Sequence, residues 1–247
     1  MLLKLFNKCG IMIGNIGYLS HGVTMETRIH IFSGHFGSGK TEVALNFAMK
    51  LKEKGEKVTI VDLDIVNPYF RTNDAREILN KNGIKLIAND FASTNLDMPT
   101  VPLNLLSVFD DKESVVIFDV GGDDDGAFAL GQYKQYFDKE KYEMHLVVNT
   151  KRPLTENTDD LLEIAQRIEA ASRLKFTDIY NNTNLSVMTD ENTLFSDYGE
   201  IEKLSEKMGI IVKKNCGVNV ALKNVPEKLK GTEFEMEIYI PKPWEIK

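Results

Sequence analysis

Two hydrophobic periods take turns along this chain. Short apolar runs recur at 29–32, 58–63, 84–88, 114–120, 144–149, 176–181 and 210–213. Each is brief enough for a strand, and 114–120 is continuous in the way of a strand buried on both faces. Between them the spacing turns helical. Val43, Ala44, Leu45, Phe47, Ala48 and Leu51 predict a helix over 41–54 that Gly55 ends. Leu161, Ile164, Ala165, Ile168 and Ala171 mark the clearest amphipathic helix, over 155–172, and shorter helices are predicted at 74–82, 127–137 and 197–208. Strands alternating with helices predict βαβ units, hence an α/β fold in three layers (α/β/α) with a mostly parallel central sheet. Phe234, Met236, Ile238 and Ile240 alternate with Glu235, Glu237 and Tyr239, which predicts a half-exposed edge strand. The stretch 91–104, with Pro99 and Pro102, reads as an irregular connection.

The first strand runs straight into Gly34-His35-Phe36-Gly37-Ser38-Gly39-Lys40-Thr41, which fits G-x-x-x-x-G-K-[ST] at every position and is followed by a helix. In such a loop, successive backbone N–H groups wrap a phosphate chain at the positive end of a helix. Lys40 supplies a point charge for the β- and γ-phosphates, and Thr41 a hydroxyl for Mg²⁺. A strand before and a helix after make this a nucleotide-phosphate site, so 25–247 is expected to be a single P-loop nucleotide-binding domain.

Charge and cysteine content narrow the class. Over 247 residues, 37 acidic against 30 basic side chains leave −7, which disfavours nucleic acid and anionic membranes as partners. Cys9 and Cys216 have no C-x-x-C companion, so neither a disulfide framework nor a zinc or iron–sulfur site is expected, in keeping with a cytoplasmic protein. The stretch 1–24 resembles a weak leader, but its apolar run is broken by Asn7, Lys8, Gly10, Gly14, Asn15 and Gly17. It is expected to be a disordered extension, with no stable membrane anchor.

Catalysis needs carboxylates beyond the loop. Asp119 closes the 114–120 strand and begins Asp119-Val120-Gly121-Gly122, a D-x-x-G pattern in which the Gly122 N–H can register a γ-phosphate. Asp62 and Asp64 share one side of the chain where 58–63 ends. The loop, this D-x-D stretch and the D-x-x-G together resemble the deviant Walker-type ATPases. That group includes the nitrogenase iron protein, the division-site and partition ATPases, and the cobyrinate and dethiobiotin synthetases. The resemblance spans about 28–184. It implies ATP and Mg²⁺ as cofactors, Lys40 and Asp64 as catalytic groups, and Thr41, Asp119 and Asp64 around the metal. It also implies that an asparagine at the 176–181 strand end reads adenine, which points to Asn181 and Asn182. The guanine-reading N-K-x-D motif is missing.

One position departs from the family. Many members carry a second lysine after the loop's first glycine that reaches a partner's nucleotide; here it is His35. A neutral imidazole does not replace a permanent cation, so a homodimer is expected to lack the trans-lysine sandwich. The expected function is a slow Mg²⁺-dependent ATPase, a nucleotide-driven switch acting on an unidentified protein partner. The alternatives are an ATP-dependent synthetase phosphorylating a small carboxylate, with Arg71, Lys151 and Arg152 around the anionic substrate, and a non-catalytic ATP sensor. Two readings stay open for Asp123-Asp124-Asp125, a second metal site or a solvated loop, and likewise for Pro68-Tyr69-Phe70-Arg71, a docking surface or packing.

Overall fold

In the computed structural model, residues 27–64, 75–88, 102, 104–122 and 124–240 are described. The extension at 1–24, the segment 68–71, Asp123 and most of 91–104 lie outside them.

The strands are β1 Ile29–Ser33, β2 Val58–Leu63, β3 Lys85–Ile87, β4 Val115–Val120, β5 Tyr142–Val148, β6 Asp178–Asn181, β7 Ile211–Gly217 and β8 Glu233–Glu235. They form a sheet in the order β3-β2-β4-β1-β5-β6-β7-β8. Every neighbouring pair is parallel. Parallel neighbours need crossover connections, which here run mostly through helices, one of which, Ser107–Asp110, the 3.6-residue spacing does not predict. The helices are α1 Lys40–Glu53, α2 Arg76–Lys81, α3 Ser107–Asp110, α4 Asp124–Gly131, α5 Lys134–Phe137, α6 Thr158–Ser172 and α7 Tyr198–Met208. They cover both faces. One face packs β1, β2 and β4 residues against α1 and α2, including Val43, Leu45, Ile60, Leu79 and Ile117. The other packs Ile31, Phe118 and Leu146 against Leu130, Leu161, Ile168 and Ile201. The α/β/α architecture read from the pattern is the observed one.

Local differences have local causes. The 127–137 helix is two, because the chain breaks between Gly131 and Lys134; a Cβ on Gly131 would lie 2.6 Å from the Ala171 carbonyl oxygen, so α4 presses onto the end of α6 there. α6 starts at Thr158, not 155, because Asn157 caps it, its Oδ1 accepting from the Asp159 and Asp160 N–H groups at 3.0 Å. β7 runs on to Gly217, beyond the predicted 213. Beyond β8, Ile238 is 61% exposed, so the edge alternation ends at Met236. From there the chain crosses α1. Asn46 clasps the Glu237 backbone at both ends, its Nδ2 donating to the carbonyl and its Oδ1 accepting from the N–H, both at 2.8 Å. The Tyr239 N–H donates to Glu42. The last described turn of chain is thereby fastened to the helix that carries the phosphate loop.

Candidate nucleotide site

All the strands point their C-terminal ends at one rim of the sheet, and the loop after β1 lies in the middle of it. Ligands of open parallel sheets bind at that rim. The Ser38 N–H donates to the His35 carbonyl at 3.0 Å, closing the loop, and the Val43 N–H donates to the Gly39 carbonyl at 3.1 Å, opening α1. Gly39 sits at φ 83°, a left-handed backbone that favours glycine, and a Cβ there would lie 2.4 Å from Asn182 Nδ2. Two side chains hold the loop from outside. Asn182 Nδ2 donates to the Ser38 carbonyl at 2.8 Å, and Arg152 Nε donates to the Gly37 carbonyl at 3.1 Å. These donors hold the Ser38 and Gly37 carbonyls outward, and the loop N–H groups other than that of Ser38 form the kind of cradle that binds an anion.

The carboxylates converge on the same rim. Asp62 and Asp119 are register partners on β2 and β4, and Asp119 is also paired with Phe32 of β1, two residues before the loop. The Asp64 N–H donates to Asp62 Oδ1 at 3.0 Å, curling the chain inward just past the strand. Asp62, Asp64, Asp119, Lys40 and Thr41 are all buried. Gly122 brings the D-x-x-G turn onto the loop. A Cβ at that position would lie 2.6 Å from the Phe36 backbone nitrogen and 2.8 Å from Lys40 Nζ. His35 stands beside Lys40, and burial above all pushes its imidazole below its ordinary value, toward the neutral form.

The two asparagines part company. Asn182 faces the loop, whereas Asn181 is fully buried behind it. Asn181 Nδ2 donates to the Leu194 carbonyl at 3.1 Å and to Asn215 Oδ1 at 2.9 Å, and its Oδ1 accepts from the Thr183 N–H at 3.1 Å. Next to the loop opens a cavity of about 350 Å³ bounded by Gly37, Gly39, Arg152, Asn182, Thr183 and Asn184 on one side. Val187, Val218, Val220, Ala221, Met236 and Ile238 form the other. The apolar wall lies on two turns and on the chain beyond β8, where no short motif marks it. Glu42, which also borders the cavity, was passed over in the sequence although it adjoins Thr41. Burial pushes its carboxyl up to about 7, against backbone hydrogen bonds from Tyr239 and Ile240 and aided by the charge of Asp119.

A nucleotide with Mg²⁺ fits these residues. The glycine cradle at Gly39 and Gly122 would be filled by any Cβ, and Ser38 Oγ and Asn182 Oδ1 are buried there without a hydrogen-bond partner among the described residues. Of the remaining candidates among the described residues, Lys151 and Asp124 have protein partners. Lys151 Nζ pairs with Asp197 at 2.7 Å. Asp124 pairs with Arg167 at 2.7 Å and, with Asp125, occupies the first turn of α4, where negative charge meets the positive helix end.

Residues 24–93 match the family model described as ParA, NUBPL iron-transfer P-loop NTPase. No curated protein matches the chain. Among solved structures, FtsY from the chloroplast of Physcomitrella patens superposes with a TM-score of 0.54 at 16% identity, over 80% of this chain and 61% of that one. The cell division protein FtsY of Thermotoga maritima gives 0.52 at 17% identity, over 76% of this chain and 61% of that one. FtsY of Mycoplasma mycoides gives 0.50 at 19% identity, over 76% and 60%. This chain therefore spans less than two thirds of the length of those it matches. At these identities the likeness is one of fold. Together with the family match it makes the chain similar to the P-loop NTPases of the ParA and MinD type.

Proposed function

We propose that this P-loop protein is a Mg²⁺-dependent ATPase whose nucleotide state drives a switch acting on a protein partner. The observation that carries the proposal is Gly122, lodged against the Phe36 nitrogen and Lys40 Nζ with no room for a methyl group. A turn packed this tightly on the loop must shift as a terminal phosphate is gained or lost beside Lys40, which makes it the moving part of the switch. Loop N–H groups and Lys40 hold the phosphates, and Asp64, curled inward by its hydrogen bond to Asp62, orients the attacking water. Thr41 and Asp119 would hold Mg²⁺, which would supply positive charge to the phosphate oxygens.

Adenine is supported over guanine by the cavity lining. Its apolar wall suits either base, but its polar edge includes Asn182, Thr183, Asn184, Ser186 and Thr189, and among the described residues its one carboxylate is Glu42 beside the loop. A guanine reader needs a carboxylate opposite the base's N–H groups. Against a small-carboxylate kinase, Lys151 and Arg152 are already engaged with Asp197 and the Gly37 carbonyl.

The test is Asp64→Asn. Phosphate release from ATP should fall by about 10²–10⁴-fold, as for loss of a group acting in the transition state, while ATP affinity measured by calorimetry stays within a few-fold of the parent. Parent-level hydrolysis in that variant would remove Asp64 from the mechanism.

A further inference from the structure

On the sheet face covered by α1, and away from the loop, the strand register assembles a second polar group. His30 of β1 is the register partner of Glu143 of β5, and His145 of β5 is the partner of Asp178 of β6. His30 Nδ1 lies 3.2 Å from His145 Nε2 and 3.3 Å from Glu143 Oε2, and the last two atoms are 4.0 Å apart. A tetrahedral zinc with bonds of about 2.0–2.1 Å sets its ligand atoms roughly 3.3–3.4 Å apart. Two edges of the triangle have that length already. The third needs only a small turn of the Glu143 carboxylate, whose side chain is 31% exposed.

The surroundings point the same way. His145 Nδ1 contacts Asp178 Oδ1 at 2.6 Å, the outer carboxylate that fixes a ligating imidazole with its other nitrogen turned inward. His145 is fully buried, so a cation held by it is shielded from bulk water. Lys213 Nζ bonds both carboxylates, Glu143 at 2.8 Å and Asp178 at 3.2 Å. Besides the rings, the group carries two carboxylates, Glu143 and Asp178, against the single ammonium of Lys213, an excess of negative charge that favours a cation. Phe32, Phe47 and Tyr180 wall the rings with centroids 4.6–6.1 Å from that of His145. As a purely structural network the set is incomplete. His30, 2% exposed, keeps a buried Nε2 with no partner among the described residues. The half-exposed Glu143 and Lys213 leave an entry path from solvent.

We propose that His30, Glu143 and His145 form a zinc site, with Asp178 as the residue that positions His145 and a fourth position open to water. It spans β1, β5 and β6, three strands whose far ends carry the phosphate loop, Asn149 and Asn182.

The test uses the full chain, stripped with chelator and titrated with ZnCl₂ without nucleotide, and with Co²⁺ as a spectroscopic stand-in. The parent and Lys40→Ala should each take up one Zn²⁺ per chain, and bound Co²⁺ should give the intense visible bands of a tetrahedral site. Glu143→Gln and His30→Gln should lose this uptake, and Asp178→Asn should weaken it by about 10–100-fold. Circular dichroism checks that each variant is folded. Should His30→Gln not fold, the half-exposed Glu143→Gln and the Co²⁺ spectrum decide. No uptake by the parent, unchanged uptake in Glu143→Gln, or a weak octahedral Co²⁺ spectrum overturns the proposal.

Discussion

Gly122 and Glu42 show what single residues do at this rim. A methyl group at Gly122 meets backbone and ammonium at under 3 Å, so Gly122→Ala must push the turn off the loop. Phosphate release in that variant should fall on the order of 10²–10³-fold, the usual scale for losing one backbone donor to developing charge. Glu42 makes a different prediction. Its carboxyl is raised to about 7 in the folded protein, so the folded state favours the protonated form. Its stabilising contribution is complete below about 4.5 and is lost as pH rises through about 7. Glu42→Gln keeps an acceptor for the Tyr239 N–H without the charge. Urea midpoints at pH 5 and pH 8 should therefore show the variant gaining on the parent by on the order of 1 kcal/mol at the higher pH. The phosphate loop was legible in sequence because its chemistry is local, eight consecutive residues flanked by a strand and a helix. The asparagines were legible only as a pair. Which one faces the loop depends on where β6 ends against β5 and β7, and that register belongs to the sheet.

At the scale of elements, the periodicities located the strands and the long helices but not their ends. Thr155 and Asn157 are both acceptable cap residues. The Thr155 hydroxyl donates to the Asn149 and Arg152 carbonyls at 2.7 and 2.8 Å and shapes the preceding turn, which leaves the cap to Asn157. Asn157→Ala should cost about 1 kcal/mol in urea unfolding while leaving nucleotide affinity unchanged, since α6 begins outside the cradle. The split between α4 and α5 was illegible for a similar reason: the contact of Gly131 with Ala171 is 40 residues away in sequence and leaves no mark on the spacing. Ile238, placed inside an edge strand by alternation, lies on the chain crossing α1 and lines the cavity beside the phosphate loop.

Across the whole molecule, the strand order gathers β1, β2, β4 and β6 so that four distant stretches meet at one rim. Ligand binding there is linked to global stability. ATP at 100 times its Kd should stabilise the parent by about 2.7 kcal/mol, read as a rise in Tm, whereas Lys40→Ala should show little or no rise. GTP at equal concentration should raise Tm less, and an equal rise would count against the adenine assignment. The clasp between Asn46 and Glu237 closes a loop of 191 residues. During synthesis at about 5–20 residues per second, that closure trails Asn46 by roughly 10–40 s. Until then Met236 and Ile238, which line the cavity beside the loop, are not in place. The helix that follows the phosphate loop is thus fastened last, by a segment almost two hundred residues further along the chain.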